Sequence, residues 1–177
     1  MIFRSTALPG VFLLDPERHE DGRGFFTRTF AADEFEANGL ATAVVQCSTS
    51  FNHLRGTVRG LHLQAAPFEE AKLVRVTRGS AFDVVVDVRP GSPTRGRHVA
   101  AVLSAETGTQ IYVPPGFAHG FQTLEDSTEV SYQISAPYSA EHARGYRFDD
   151  PTLSIRWPIE MTMISDRDLM LPRFGDE

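Results

Sequence analysis

Two histidines, His62 and His119, are the first candidates for chemistry in this chain. His62 lies in the segment RGLHLQ (59–64) and His119 in VPPGFAHGF (113–121), and each stands where a strand meets a turn. An imidazole can act as a general base near neutral pH or bind a metal ion. β-prone runs such as FDVVVDV (82–88) lie between the two segments. We therefore expect both histidines on facing strands of one antiparallel sheet system, in a barrel pocket.

Lys72 and Tyr132 join these histidines when strand periodicity is applied. Residues two apart in a strand share a face, and this groups Lys72 and Tyr132 with apolar neighbours that belong in an interior. A charge there is costly unless it is paired or used. Each residue alone has an ordinary structural explanation, but together they indicate a site. Arg59 has the opposite parity to His62, so we expect it to reach the pocket only through a bulge or a strand edge.

The elements that must position these residues are mainly short strands. Glycine and proline interrupt the chain at strand-sized intervals, a spacing that favours an antiparallel barrel or sandwich. One segment, 31–38, predicts a short helix with acidic residues in its first turn and Gly39 after it. A length of 177 residues with 41% hydrophobic content suits one core. We expect a single all-β domain over residues 1–177.

The overall charge and the cysteine content exclude several classes of protein. Seventeen basic and twenty-three acidic residues give a net charge of −6, which argues against sequence-independent nucleic-acid binding. Cys47 is the single cysteine, so the chain cannot form an internal disulfide or a thiolate metal cluster. We expect a cytoplasmic protein, because a single cysteine suits a reducing compartment. We expect no membrane partner, because no apolar stretch has the length or flanks of a targeting or spanning segment.

A metal-dependent enzyme is an alternative that the histidines themselves raise. Residues 108–119 follow the pattern G-x5-P-x-G-x2-H, the second motif of the cupin superfamily, whose members often hold a metal. In the first motif Gln64 stands where a second histidine ligand would be. His62, His119 and Glu69 remain as candidate ligands. We expect no metal and no other cofactor, because an amide is a poor substitute for imidazole.

Motifs along nearly the whole chain resemble the dTDP-4-dehydrorhamnose 3,5-epimerase family. Its members are metal-independent cupins that act on nucleotide-linked 4-keto-6-deoxy sugars. The matching segments are 21–26, 56–64, 72–75, 83–94, 113–121, 150–151, 157–158 and 165–168, together with Tyr132 and Tyr138. The resemblance implies a cupin-type antiparallel β-barrel or jelly roll with a few short helices. It also implies a homodimer that exchanges N-terminal strands.

The resemblance further implies a reaction and a role for four residues. The family inverts C3 and C5 of dTDP-4-keto-6-deoxyglucose to give dTDP-4-keto-rhamnose. His62 corresponds to the base and Asp168 to its carboxylate partner. Tyr132 corresponds to the acid that returns a proton to the opposite face, and Lys72 stabilises charge on the C4 oxygen.

Six further residues match substrate-binding positions of the family. Arg59 and His119 match residues that line the sugar-phosphate site. Arg23 matches an arginine that reaches the diphosphate from the neighbouring subunit. The residues that match positions around the nucleotide base are Phe26, Gln46 and Tyr138.

The chain departs from the family pattern at three positions near these contacts. Arg28 stands where the family usually has Glu, Ser48 where it has Asn, and Glu70 where it has Gln. We hypothesise that Arg28 and Glu70 form a compensating pair. The departures keep a second hypothesis open, an epimerase of one carbon in a different nucleotide-linked 4-keto-deoxysugar. A third hypothesis, a nucleotide-sugar binding protein without turnover, conflicts with the intact set of His62, Asp168 and Tyr132.

Overall fold

Two antiparallel sheets form the body of the computed structural model, which describes residues 1–175. The first sheet has six strands, in the order β1 (Ile2–Ser5), β2 (Phe12–Asp15), β10 (Gln110–Val113), β7 (Lys72–Arg78), β12 (Thr128–Ile134) and β5 (Gln46–Asn52). The second has five, in the order β13 (Ala143–Gly145), β6 (Val58–Gln64), β11 (Phe117–Thr123), β8 (Ser80–Asp87) and β9 (His98–Ser104). A separate hairpin pairs β3 (His19–Asp21) with β4 (Gly24–Phe26).

Apolar side chains that alternate along the strands form the core between the sheets. Val74 and Val130 of the first sheet and Val85 and Phe121 of the second are at most 1% exposed and belong to one cluster. The opposite face of β8 is covered as well, because Val84 and Val86 pack in a second cluster with residues of the C-terminal segment. The continuous apolar run in β8 thus reflects a strand that is buried on both faces.

Two short helices accompany the strands within residues 1–175. Helix α1 (Ala32–Ala37) lies within the predicted segment 31–38, and its buried Phe35 contacts the rings of Phe3, Phe30 and Tyr112. Helix α2 (Asp166–Leu169) begins after Ser165, whose hydroxyl accepts a hydrogen bond from a backbone N–H of the first turn. This cap fixes the short segment that carries Asp168.

The all-β prediction is confirmed, with sheets packed face to face as in a cupin-type jelly roll. β1 and β2 join the chain's own first sheet, while the exposed β3–β4 hairpin stands apart from both sheets. Exchange of N-terminal strands between subunits stays a prediction, and the hairpin is the part available for it. No helix in the described part of the chain is long and apolar enough to cross a membrane.

Candidate active site

A cavity of about 340 Å³ opens between the two sheets and contains most of the predicted site residues. β6 and β11 of the second sheet contribute one wall, and β5, β7 and β12 of the first sheet contribute another. The predicted residues that line it are Gln46, Arg59, His62, Lys72, His119, Tyr132 and Tyr138. Strand periodicity had grouped His62, Lys72 and Tyr132, and the family resemblance had added the other residues that converge on this space.

The two histidines are cross-strand neighbours in the second sheet. His119 pairs with His62, and Phe121 pairs with Arg59. The two pairs are therefore three residues apart along β6 but only two residues apart along β11. This extra residue is a bulge, and it brings Arg59 to the same face as His62, as expected. At the bulge, a Cβ on Gly60 would lie 2.6 Å from the Cα of Gly120, so the close approach of the strands requires a glycine there.

His62 and Asp168 form a hydrogen-bonded pair at the cavity wall. His62 Nε2 lies 2.7 Å from Asp168 Oδ1, and the backbone N–H of Gly60 donates to Oδ2 at 3.2 Å. Burial alone would raise the pKa of the Asp168 carboxyl, but the hydrogen bonds from His62 and Gly60 outweigh it and lower that pKa. An ionised carboxylate only accepts, so Nε2 carries the proton and Nδ1 is left as the basic nitrogen.

The His62 ring is exposed to the cavity and the Asp168 carboxylate is buried, as expected for a catalytic base and the carboxylate that orients it. The His62 side chain is 43% exposed, whereas the Asp168 side chain is 6% exposed. The imidazole can therefore meet a ligand in the cavity while the carboxylate stays behind it. A carboxylate held in this way orients the ring and stabilises its protonated form.

Lys72 extends from the first sheet toward the strand that carries His62. Its Nζ donates to the backbone carbonyl of His62 at 3.1 Å and forms an ion pair with Glu70 at 2.9 Å. An ammonium has three N–H groups, so one remains for a ligand. Glu70 is thus engaged with Lys72, and Arg28 pairs with Glu34 at 3.4 Å. Within one chain, Arg28 and Glu70 therefore have separate partners and do not form the hypothesised pair.

A second histidine–carboxylate pair lies deeper in the cavity wall. His119 Nε2 is 2.8 and 3.0 Å from the two carboxyl oxygens of Asp83, and both side chains are buried. Burial raises the pKa of Asp83, although His119 and Lys72 act in the opposite direction. Sequence reasoning missed Asp83. Its signal was a carboxylate inside the apolar run of β8, where a charge needs a partner.

Tyr132 stands on the first sheet, across the cavity from the strand of His62. Its ring meets that of His119 edge to face, with centroids 6.1 Å apart. Burial, helped by the negative charge of Asp83, raises the pKa of the Tyr132 phenol far above its ordinary value, although Arg59 opposes this shift. The phenol is therefore protonated at neutral pH and can donate a proton.

Polar and basic residues surround the mouth of the cavity. The backbone N–H of Tyr138 donates to Gln46 Oε1 at 3.2 Å, so these two predicted base-site residues are in contact. Arg59 is held by Asn52, with Nε 2.7 Å from Oδ1. Arg144 and Arg167 also line the cavity, and sequence reasoning missed both. Arg167 directly precedes Asp168, so its place in the matching segment 165–168 was the available signal.

Arg23 and Phe26 lie outside the cavity of their own chain. Both belong to the β3–β4 hairpin region, where the Arg23 side chain is 91% exposed and pairs with Asp21 at 2.5 Å. Phe26 is 69% exposed. Their predicted contact with substrate requires a second subunit.

The donor groups for a metal ion are dispersed among other partners. Within residues 1–175, no group of three or more His, Cys, Asp or Glu side chains is placed to hold a metal. Gln64, at the position of a cupin ligand, binds backbone groups at Phe68, Pro137 and Ser139 instead. The expectation that the protein uses no metal and no cofactor stays a prediction.

Comparison with known proteins agrees with this geometry. The family model described as dTDP-4-dehydrorhamnose 3,5-epimerase matches residues 5–176. The dTDP-4-dehydrorhamnose 3,5-epimerase of Sinorhizobium fredii is 49% identical over 173 residues, which cover 97% of this chain and 89% of the relative.

Two solved structures show the same fold with nucleotide sugars bound. The dTDP-6-deoxy-D-glucose-3,5-epimerase of Legionella pneumophila, in complex with dTDP-4-keto-L-rhamnose, has a TM-score of 0.92 and 35% identity, covering 98% of this chain and 92% of that chain. A 3′-monoepimerase of Streptomyces bikiniensis, in complex with dTDP-quinovose, has a TM-score of 0.89 and 34% identity, covering 96% and 86%. The chain is therefore a member of the dTDP-4-dehydrorhamnose 3,5-epimerase family of isomerases.

Proposed function

We propose that this protein inverts C3 and C5 of dTDP-4-keto-6-deoxyglucose to give dTDP-4-keto-rhamnose. The observation that carries the proposal is the placement of His62 and Tyr132 on strands of different sheets, both lining one cavity. Inversion at carbon requires a base and an acid that address opposite faces of the sugar. Family membership and the bound sugars of the two solved structures support the substrate class.

The chemistry follows from the ketone at C4, which makes the protons at C3 and C5 removable. His62 takes such a proton, and the C–H electron pair moves into an enolate with its charge on the C4 oxygen. Asp168 stabilises the imidazolium that forms. The free N–H of Lys72 stabilises the enolate oxygen, an electrostatic contribution that is often the largest in such reactions. Tyr132 then delivers its phenolic proton to the other face of the carbon.

The cavity mouth supplies the groups that hold the nucleotide part of the substrate. Arg59, Arg144 and Arg167 supply positive charge for a diphosphate. Gln46 and Tyr138, which touch each other, flank the base. The proposal includes a homodimer in which Arg23 and Phe26 of each hairpin complete the partner's cavity. Their exposure on the free chain supports this arrangement.

The direct test is solvent exchange at the reacting carbons. The purified protein is incubated with dTDP-4-keto-6-deoxyglucose in deuterated water, and deuterium at C3 and C5 is followed by NMR. We expect label at both carbons together with the inverted sugar, and the same result with a chelator present. Loss of label with the chelator would instead support a metal-dependent enzyme. The proposal is contradicted if deuterium is missing from C3, from C5 or from both carbons.

An epimerase of one carbon is the second candidate function. The observation that favours it is the structural likeness to the 3′-monoepimerase, combined with the two departures that line the cavity, Ser48 and Glu70. Ser48 lies directly across from Tyr132 in the β5–β12 register, so it borders the proposed acid. Deuterium at C3 or C5 alone in the same experiment would establish this reading.

A further inference from the structure

Gln64 is a buried amide whose three hydrogen bonds all go to loop backbone. It is 6% exposed and ends strand β6. Its Nε2 donates to the carbonyls of Phe68 at 2.9 Å and Pro137 at 3.1 Å, and its Oε1 accepts the N–H of Ser139 at 2.6 Å. Pro137 and Ser139 are the two neighbours of Tyr138. Gln64 therefore forms hydrogen bonds with the backbone on both sides of that tyrosine.

The loop that carries Tyr138 has separate anchors at its two ends. Near its start, Ser135 and Ala71 exchange hydrogen bonds of 3.0 and 2.8 Å. Near its end, the carbonyl of His142 accepts the N–H of Ala65 at 2.8 Å. Between these anchors, the contacts from Gln64 set the path of the backbone at 137–139. Removal of the amide is therefore expected to displace Tyr138 without releasing the whole loop.

An amide is the group that this position requires. The backbone around it presents two carbonyls and one N–H, which call for two donors and one acceptor on a single side chain. The carboxamide of glutamine meets all three in the observed geometry, and an imidazole has one nitrogen too few. This explains the glutamine where a metal-binding cupin would have histidine. The same residue lies two positions from His62, so it joins the Tyr138 loop to the strand of the proposed base.

We infer that Gln64 is a positioning residue for the nucleotide-base end of the substrate site, acting through Tyr138. This inference rests on the proposed function, in which Tyr138 and Gln46 flank the base. Tyr138 is 59% exposed, and its own N–H is held by Gln46, so its place at the cavity mouth depends on backbone contacts. Gln64 should thus affect nucleotide affinity more than the chemical step.

The test compares Gln64→Met and Gln64→Glu with the wild-type protein. dTDP alone is titrated by calorimetry, and kcat and KM are measured with dTDP-4-keto-6-deoxyglucose. Methionine removes all three hydrogen bonds, and glutamate removes the two that Nε2 donates. Both substitutions are expected to raise the Kd of dTDP and the KM about tenfold while kcat changes less than about threefold. In a Tyr138→Ala background the same substitutions should leave the Kd unchanged, because the residue through which Gln64 acts is gone.

Gln122→Met is the matched control. Gln122 is a second buried glutamine, and it binds both the carbonyl and the N–H of Ile159, at 3.0 and 3.4 Å, away from Tyr138. It should lower thermal stability and leave the Kd of dTDP unchanged.

The inference would be overturned if folded Gln64 variants bound dTDP with an unchanged Kd, or if their kcat fell while KM stayed the same. It would also be overturned if both Gln64 variants were unfolded under conditions in which Gln122→Met is folded. A wild-type protein that does not bind dTDP contradicts the proposed function itself.

Discussion

His62 combines an exposed ring with a buried partner, and its substitution is the sharpest probe of the proposed reaction. Asparagine keeps a polar side chain but has no basic nitrogen. We expect His62→Asn to lower deuterium exchange at C3 and C5 by at least about a hundredfold, the usual contribution of a general base. Its melting temperature should stay close to that of the wild type, because the ring is 43% exposed. NMR exchange and thermal unfolding provide the two measurements.

His98→Asn is the control for this variant. His98 lies on β9, the edge strand of the second sheet, and it is outside the cavity. Exchange in this variant should equal that of the wild type. A His62→Asn protein that retains substantial exchange would remove His62 as the base.

Tyr132 should be needed for the return of the proton and not for its removal. We expect Tyr132→Phe to retain exchange of a substrate proton with solvent but to form at most about a hundredth of the normal inverted product. Because the pKa of the phenol is raised, Tyr132 should contribute no loss of activity between pH 7 and about 9 in the wild type. Product NMR over this pH range measures both effects.

Tyr112→Phe is the matched control, because Tyr112 is a buried tyrosine on β10 outside the cavity, whereas the partly buried Tyr132 lines it. Its hydroxyl accepts the N–H of Ala41. This variant should form inverted product at the normal rate. Normal product formation by Tyr132→Phe would exclude Tyr132 as the required acid.

At the scale of elements, the loop between β8 and β9 is organised by one carboxylate. Asp87 is fully buried and accepts hydrogen bonds from Arg89, Ser92 and Thr94 at 2.5 to 3.0 Å. Arg89 in turn lies over the ring of Phe117, 4.3 Å from its centroid, at the start of the strand that carries His119. The loop thus supports the strand of the second histidine.

The ionisation of Asp87 gives a pH-dependent stability with a defined sign. Burial by itself would raise its pKa, but the hydrogen bonds outweigh burial and hold the pKa well below the ordinary value. A lowered pKa in the folded state stabilises the fold above the unfolded pKa of about 4, and this stability is lost as pH falls toward the folded pKa.

We expect Asp87→Asn to reduce the free energy of unfolding by about 2 kcal/mol at pH 7, with the difference from wild type shrinking below about pH 4. Denaturant titrations at several pH values measure this difference in the free energy of unfolding. Asp149→Asn is the comparison, because its pair with Arg147 is 43% exposed on the aspartate side and should contribute less. An equal effect of the two substitutions would contradict the structural role assigned to Asp87.

At the scale of the whole molecule, the proposed dimer can be tested by mixing inactive variants. If Arg23 reaches the partner's cavity, every site of an Arg23→Ala dimer lacks the arginine, and every site of a His62→Asn dimer lacks the base. A mixed dimer has one intact site. In that site, His62 comes from the Arg23→Ala chain and Arg23 comes from the His62→Asn chain. After denaturation and refolding of an equal mixture, we expect about a quarter of wild-type activity, since half the dimers are mixed and each has one intact site.

The control mixture combines His62→Asn with Tyr132→Phe. Both residues line the cavity of one chain, so no mixed dimer contains an intact site. Recovery in the Arg23 mixture but not in this control supports the shared site. Equal behaviour of both mixtures would contradict it.

The sequence by itself determined the all-β class, the short helix and the residues that share a strand face. These are local properties, because strand alternation, turn residues and helix ends are set by neighbours along the chain. His62, Lys72 and Tyr132 could therefore be placed in one interior before any contact was known. The match of the motifs to the family came from the same local patterns.

Only the tertiary structure decided which partner each side chain has. Asp83 reaches His119 across the β8–β11 register, and Glu70 binds Lys72 and not Arg28. The bulge in β6 turned Arg59 toward the cavity against its simple parity. These contacts depend on sheet register and on how the two sheets pack. Such features arise from long-range pairing, which spacing along the chain does not fix.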